Sequence, residues 1–211
     1  MPDLPIPAEN LGATVIGHTL YVFGGQVDTV GRTASNRTFG IDLDNVRRGW
    51  KELAPMPGPG RILPVVTTVG NSAFVFSGAA LVKGARGAIA RRYLVDGYRY
   101  EPGSRWIRIA DLPRPALAAP SPAPFARNFV YVLGGDDGTH IALRPSAHHP
   151  GFNRSVLRYD PKANRWDRAG GYLPGVVTAP VAPWRGGWAI ISGEIVPGVR
   201  SNRVWLFRPP G

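Results

Sequence analysis

The sequence predicts an all-β fold, a β-propeller made of repeated four-stranded units, and three observations lead there. A Gly closes an apolar run at 25, 78, 135 and 193, with spacings of 53, 57 and 58. A Trp opens a later short run at 50, 106 and 166, with spacings of 56 and 60. The 27 Gly and 22 Pro stand between these runs and form no tracts, which is how short strands and tight turns are punctuated.

The first repeat, about 11–57, holds Leu20-Tyr21-Val22-Phe23 into Gly24-Gly25, then Thr38 to Asp42, then Trp50 to Leu53 and Met56-Pro57. The second, about 62–113, holds Phe74-Val75-Phe76 into Ser77-Gly78, a run from Tyr93 to Tyr100, Trp106 and Leu112-Pro113. The third, about 117–174, holds Val130 to Leu133 into Gly134-Gly135, then Asn153 to Asp160, Trp166 and Leu173-Pro174. The fourth, about 176–211, holds Trp188 to Ile191 into Ser192-Gly193, then Asn202 to Phe207, without a closing Trp strand. Val, Ile, Tyr, Phe and Trp in short runs bounded by Gly, Pro and Asn spell strands. Four such runs per unit of about fifty residues, with a Gly-Gly, Tyr and Trp signature, define a kelch blade. Blades bury their faces only against neighbours. Four blades, the last incomplete, together with a blade-tail-like Leu4-Pro5-Ile6-Pro7, lead to the expectation of part of a larger ring, or of a ring closed unusually. Open blade edges would favour self-association.

Composition narrows function. The sequence has no Cys, so thiolate nucleophiles, sulfur metal sites and the cross-linked cofactor of galactose-oxidase-like copper enzymes are excluded. The 25 basic against 14 acidic residues give a net charge of +11, a field that attracts anions. The basic residues are 22 Arg and 3 Lys, scattered singly or in pairs. That pattern fits an acidic small molecule better than a nucleic acid, and no nucleic-acid or membrane partner is expected. No apolar stretch reaches the length of a membrane span, and the start lacks a signal-peptide pattern. As written the chain reads as cytoplasmic, or periplasmic with a signal peptide further upstream.

In a four-stranded meander the loops after the second strand and the crossings between blades share one face. The loops run about 26–35, 79–91, 136–152 and 194–201. Long loops gathered around one opening suit a binding site. In the last, Glu194 and Arg200 flank a Pro197-Gly198 turn, an acid/base group beside an anion-binding one. Arg61, Arg114 and Asp136 join them as candidate ligand contacts. Blander readings stand beside these: a rim salt bridge for Glu194 and Arg200, solvated side chains for the other arginines, and a turn for Asp136-Asp137-Gly138. His148-His149-Pro150 lacks metal-ligand spacing and reads as a surface turn, so no metal site is expected.

The segment Gly193-Glu194-Ile195-Val196-Pro197-Gly198-Val199-Arg200 resembles the Gly-Glu-x-x-Pro-Gly-x-Arg motif of bacterial kelch-type N-acetylneuraminate epimerases, the sialic acid mutarotases. His149-Pro150-Gly151-Phe152, Leu133 to Gly138 and Gly60 to Pro64 are similar to the cyclically permuted branch of that family. The resemblance implies a six-bladed ring of which this sequence holds the last four blades. It also implies anomer interconversion of N-acetylneuraminate, with Glu194 as proton acceptor, Arg200 at the sugar and no cofactor. A non-catalytic kelch module binding a protein or glycan through the same face is the competing expectation.

Overall fold

In the computed structural model, which describes residues 1–28, 31–143, 148–170 and 174–210, the chain forms four blades of a β-propeller. Leu173, the first half of the third repeat's Leu-Pro, lies outside the described residues, as do parts of the loops at 26–35 and 136–152. The first blade is the antiparallel sheet β1 (Gly12–Ile16), β2 (Thr19–Phe23), β3 (Thr38–Asp42) and β4 (Lys51–Leu53). The second begins with β5 (Val65–Val69) and β6 (Ser72–Phe76). A separate hairpin of β7 (Ala79–Lys83) and β8 (Ile89–Tyr93) follows, before β9 (Gly97–Tyr100) and β10 (Trp106–Ile109) complete the blade. The third contains β11 (Phe125–Ala126), β12 (Phe129–Gly135), β13 (Asn153–Asp160) and β14 (Arg165–Arg168). The fourth is a three-stranded sheet of β15 (Val181–Trp184), β16 (Gly187–Ile191) and β19 (Val204–Phe207). Between its last two strands a second small hairpin joins β17 (Glu194–Val196) and β18 (Val199–Arg200).

Two sequence expectations need correction. Residues 79–91 are not an irregular loop, because Ala79 to Lys83 pairs in register with Ile89 to Tyr93 across a five-residue turn. Tyr93 therefore ends that hairpin, and the blade strand starts at Gly97.

The alternation of side chains along each strand gives every blade a forward and a backward face. Tyr21 and Phe23 of the first blade pack against Ala73, Val75, Tyr98 and Tyr100 of the second. Phe74 and Phe76 meet Val130, Val132, Leu157 and Tyr159 of the third. Tyr131 and Leu133 then meet Ile190 and Phe207 of the fourth.

An aromatic triad recurs at the seams. Phe23 lies 5.5 Å from Trp106, which is 4.9 Å from Tyr100. Phe76 lies 5.2 Å from Trp166, which is 4.9 Å from Tyr159. Each such pair adds about 0.5–1.5 kcal/mol beyond the area it buries. The indoles also tie one blade to what precedes it. Trp106 donates to the Ala54 carbonyl, Trp166 to that of Ala110 and Trp50 to that of Pro2, at 2.9, 3.0 and 3.1 Å. Pro2 thus occupies the place that Ala54 and Ala110 hold after the closing strands of the first two blades.

The forward face of the fourth blade is apolar and open. Trp184, Ile191 and Val204 are 50, 40 and 62 % exposed, at the side opposite Ile190 and Phe207. Among the described residues no helix is long and apolar enough to cross a membrane.

Candidate functional site

The recurrent glycines set up the loop face. Gly25, Gly78, Gly135 and Gly193 have φ of +96, +95, +96 and +103°, a conformation that side chains rarely adopt. At Gly193 a Cβ would lie 2.9 Å from the Ala179 Cβ and 3.0 Å from the Val177 carbonyl oxygen. The residue before the glycine is also left-handed, yet Ser serves there at 77 and 192.

The reversal delivers the next residue to an isolated antiparallel bridge with the incoming crossing. The four bridges are Gln26 with Glu9, Ala79 with Ile62, Asp136 with Leu117, and Glu194 with Val177. One structural position, the residue after the glycine, is therefore presented once per blade on the loop face. Carboxylates fill it in the third and fourth blades.

Glu194 is half-buried. Its backbone exchanges hydrogen bonds with Val177, N to O at 2.9 and 3.0 Å, and its Oε1 accepts the N–H of Gly198. Pro197-Gly198 makes the turn, with Gly198 at φ +80°, the Pro-then-Gly order that a type II turn favours. The turn sets Arg200 directly across the hairpin from Glu194. Among the described residues no ion pair joins the two. Arg200 is exposed, with Nη1 3.4 Å from the Thr178 hydroxyl. It lines a cleft of about 890 Å³ between the third and fourth blades, together with His149, Arg154, Arg203, Val196 and Trp205. Such a cleft is electropositive and part apolar.

Asp136 is half-buried and accepts two hydrogen bonds, from the Tyr93 hydroxyl at 2.6 Å and from Gly138 N at 2.9 Å. The turn reading of Asp136-Asp137-Gly138 and the ligand reading of Asp136 are thus compatible, since the side chain both shapes the turn and sits at the rim position.

Arg61 is placed differently from its sequence expectation. It is 0 % exposed. Its guanidinium grips both Asp96 oxygens at 2.9 and 2.8 Å and donates to the Ser77 carbonyl at 2.9 Å. A ligand cannot reach it in this arrangement, and its role is structural. Burial pushes the Asp96 carboxyl up, but the Arg61 hydrogen bonds and charge outweigh it and hold the group below the usual carboxylate range.

Arg114 is half-buried and donates to the carbonyls of Pro115, Gly134 and Ser155 and to the Ser155 hydroxyl. Burial lowers its pKa. Its donors pin the third blade's glycine turn. His149 is buried, with Nδ1 accepting from Gly151 N at 3.1 Å and its ring against His140 and Phe152. Among the described residues no group of three or more His, Cys, Asp or Glu is placed to hold a metal.

Sequence reasoning missed Tyr93, whose hydroxyl donates to Asp136. The available signal was the alternation in Leu81-Val82-Lys83 and Ile89-Ala90-Arg91-Arg92-Tyr93, which reads as a hairpin once a turn is placed at 84–88.

The fold and its loop face define the class, a β-propeller with acid and cation side chains gathered at the blade crossings. No family model matches the chain. Along nearly its whole length the chain is similar to curated proteins named N-acetylneuraminate epimerase. The Yersinia enterocolitica protein is 27 % identical over 237 aligned positions, covering 100 % of this chain and 58 % of the relative. The Yersinia pestis protein is 30 % identical over 230 positions, covering 97 and 56 %. The Brucella melitensis protein is 26 % identical over 237 positions, covering 98 and 58 %. The chain therefore spans a little over half the length of these relatives. A solved structure described as that of YjhT superposes with a TM-score of 0.75 at 20 % identity, covering 99 % of this chain and 68 % of that one, a likeness of fold.

Proposed function

We propose that the chain carries the catalytic loop face of a mutarotase that interconverts the anomers of N-acetylneuraminate or a related acidic sugar. The observation that carries this reading is the placement of Glu194 at the blade-rim position with Arg200 directly across its hairpin. The similarity to curated N-acetylneuraminate epimerases supports it.

Mutarotation opens and recloses a cyclic hemiketal with no net redox change. A base takes the proton of the anomeric hydroxyl, the ring oxygen gains a proton, and the ring C–O bond breaks to give the open keto form. The hydroxyl formed from the former ring oxygen then adds to the other face of the carbonyl, giving up its proton as the carbonyl oxygen takes one to become the anomeric hydroxyl again. Glu194 is the base in this scheme, and a positioned acid/base contributes about 10²- to 10⁴-fold. Arg200, a planar fork of donors, suits a carboxylate better than Lys would. The electropositive cleft beside it accommodates the rest of an acidic sugar.

The test is NMR of freshly released α-N-acetylneuraminate with and without the purified chain. Acceleration over buffer is expected, and Glu194→Gln should lower it by at least about 10²-fold while binding persists. An unchanged rate in that variant would remove Glu194 from the mechanism. Binding without any acceleration by the wild-type chain would favour a glycan-binding module.

A further inference from the structure

The crossings that enter the four blades carry a second repeat. After each bridge partner of a rim position, namely Glu9, Ile62, Leu117 and Val177, the next residue is left-handed. Asn10, Leu63, Ala118 and Thr178 have φ of +58, +51, +56 and +53°. Their main chains form a staircase from blade to blade. Leu63 N donates to the Asn10 carbonyl at 2.7 Å, Ala118 N to that of Leu63 at 3.0 Å, and Thr178 N to that of Ala118 at 2.8 Å. The staircase thus fixes a conformation that a β-branched side chain disfavours. Thr178 is the one β-branched residue of the four, so it bears the greatest strain.

Thr178 is exposed, and no buried packing offsets that strain. The second and third blades place Leu and Ala at this step, so the scaffold does not need a hydroxyl there. What distinguishes the fourth blade is the residue that the hydroxyl meets. Thr178 Oγ1 accepts from Arg200 Nη1 at 3.4 Å, and among the described residues it is the one hydrogen-bond partner of that guanidinium. Thr178 lines a cavity of about 390 Å³ with its counterparts Leu63 and Ala118, whereas Arg200 lines the cleft of about 890 Å³ between the third and fourth blades. The contact holds the guanidinium where the two spaces meet. Val177, one residue before Thr178, fixes the main chain of Glu194, so one short segment places both groups.

We propose that Thr178 is a positioning residue, whose hydroxyl aims Arg200 at the carboxylate of an acidic sugar and whose strained backbone is kept for that contact. This deepens the mutarotase reading and rests on its assignment of Arg200 to the carboxylate. An arginine on an exposed hairpin samples many rotamers, and a ligand must order it on binding. A hydroxyl at one guanidinium nitrogen does part of that ordering beforehand and leaves the other N–H groups for a carboxylate.

The experiment compares binding of N-acetylneuraminate and of its uncharged methyl ester by calorimetry, with the anomer rate followed separately. Thr178→Val keeps the shape and the strain but loses the hydroxyl. It should weaken binding of the acid by about 3- to 10-fold, the range for one modest hydrogen bond, and leave ester binding unchanged. Thr178→Ser should bind the acid as wild type does. In the sugar-free protein the NMR order parameter of the Arg200 Nε–H group should fall in Thr178→Val, which shows that the hydroxyl acts through Arg200. Thr178→Gly adopts the left-handed conformation freely. It should weaken the acid as Val does while unfolding at a higher urea concentration than wild type. A residue that only supported the fold would move binding and stability in the same direction.

Equal binding of the acid by wild type and Thr178→Val would overturn the proposal, as would a parallel loss for acid and ester. An unchanged Arg200 order parameter or a lower unfolding midpoint in Thr178→Gly would overturn it too. The two readings fail separately. Acceleration with no effect at Thr178 leaves the mutarotase standing alone. Acid binding that depends on the hydroxyl, without acceleration, leaves this inference standing alone, and no binding of the acid by wild type overturns it.

Discussion

Replacing Asp96 by Asn tests whether Arg61 is a structural cation. In the native chain the Arg61 guanidinium is 0 % exposed and bonded to both oxygens of a carboxylate whose side chain is 13 % exposed. The amide of Asn offers one acceptor and turns an N–H group toward the second guanidinium nitrogen, leaving a buried charge without its counter-charge. Breaking a buried pair on one side costs about 3–5 kcal/mol, which corresponds to a fall in Tm of roughly 6–20 °C for a chain of this size. Arg61 Nε has no partner already, so little slack remains to absorb the loss.

The assay is urea unfolding followed by Trp fluorescence, with the midpoint and slope compared between wild type and variant. Acidity adds a second signature. Because the folded Asp96 pKa is lowered, the unfolded chain binds the proton more readily. The stabilisation is therefore complete above the unfolded value of about 3.9 and is lost as pH falls through the folded value. Asp96→Asn should lack that part of the acid dependence. The joint replacement Arg61→Met with Asp96→Leu should recover much of the stability, since a buried pair is often replaceable by apolar groups. A loss below about 1 kcal/mol in Asp96→Asn would match a solvent-screened surface pair and refute the assignment.

Two further outcomes follow from the geometry. Gly193→Ala forces a Cβ into a φ of +103° and against Ala179, so it should destabilise by about 1–3 kcal/mol and displace Glu194, seen as a lower anomer rate at saturating sugar. The open forward face with Trp184, Ile191 and Val204 should make the chain self-associate at micromolar concentration, and Val204→Asp should return it to monomer in sedimentation velocity; a monomeric wild type at those concentrations would count against it.

Much of the architecture was legible because it repeats. The glycine at 25, 78, 135 and 193 marks one backbone conformation, and the tryptophans at 106 and 166 mark one seam, so spacing alone located them. Glu194 and Arg200 were legible for a local reason, being joined by a two-residue turn. Arg61 was not, because its fate depends on Asp96, 35 residues further on, and nothing in the sequence pairs the two. Tyr93 was assigned to a blade strand since its β-rich surroundings fit either strand. Only the register of β8 against β7 shows that it belongs to the hairpin.

The rim position holds Gln, Ala, Asp and Glu in successive blades, yet each is held by a main-chain bridge that does not depend on the side chain. The seams, by contrast, depend on Phe, Tyr and Trp fitting one another. Copying a blade therefore duplicates a scaffold together with a vacant socket, and one codon in that socket can add or remove a reactive group without disturbing a seam. A protein assembled this way can vary its chemistry blade by blade while its walls stay constant.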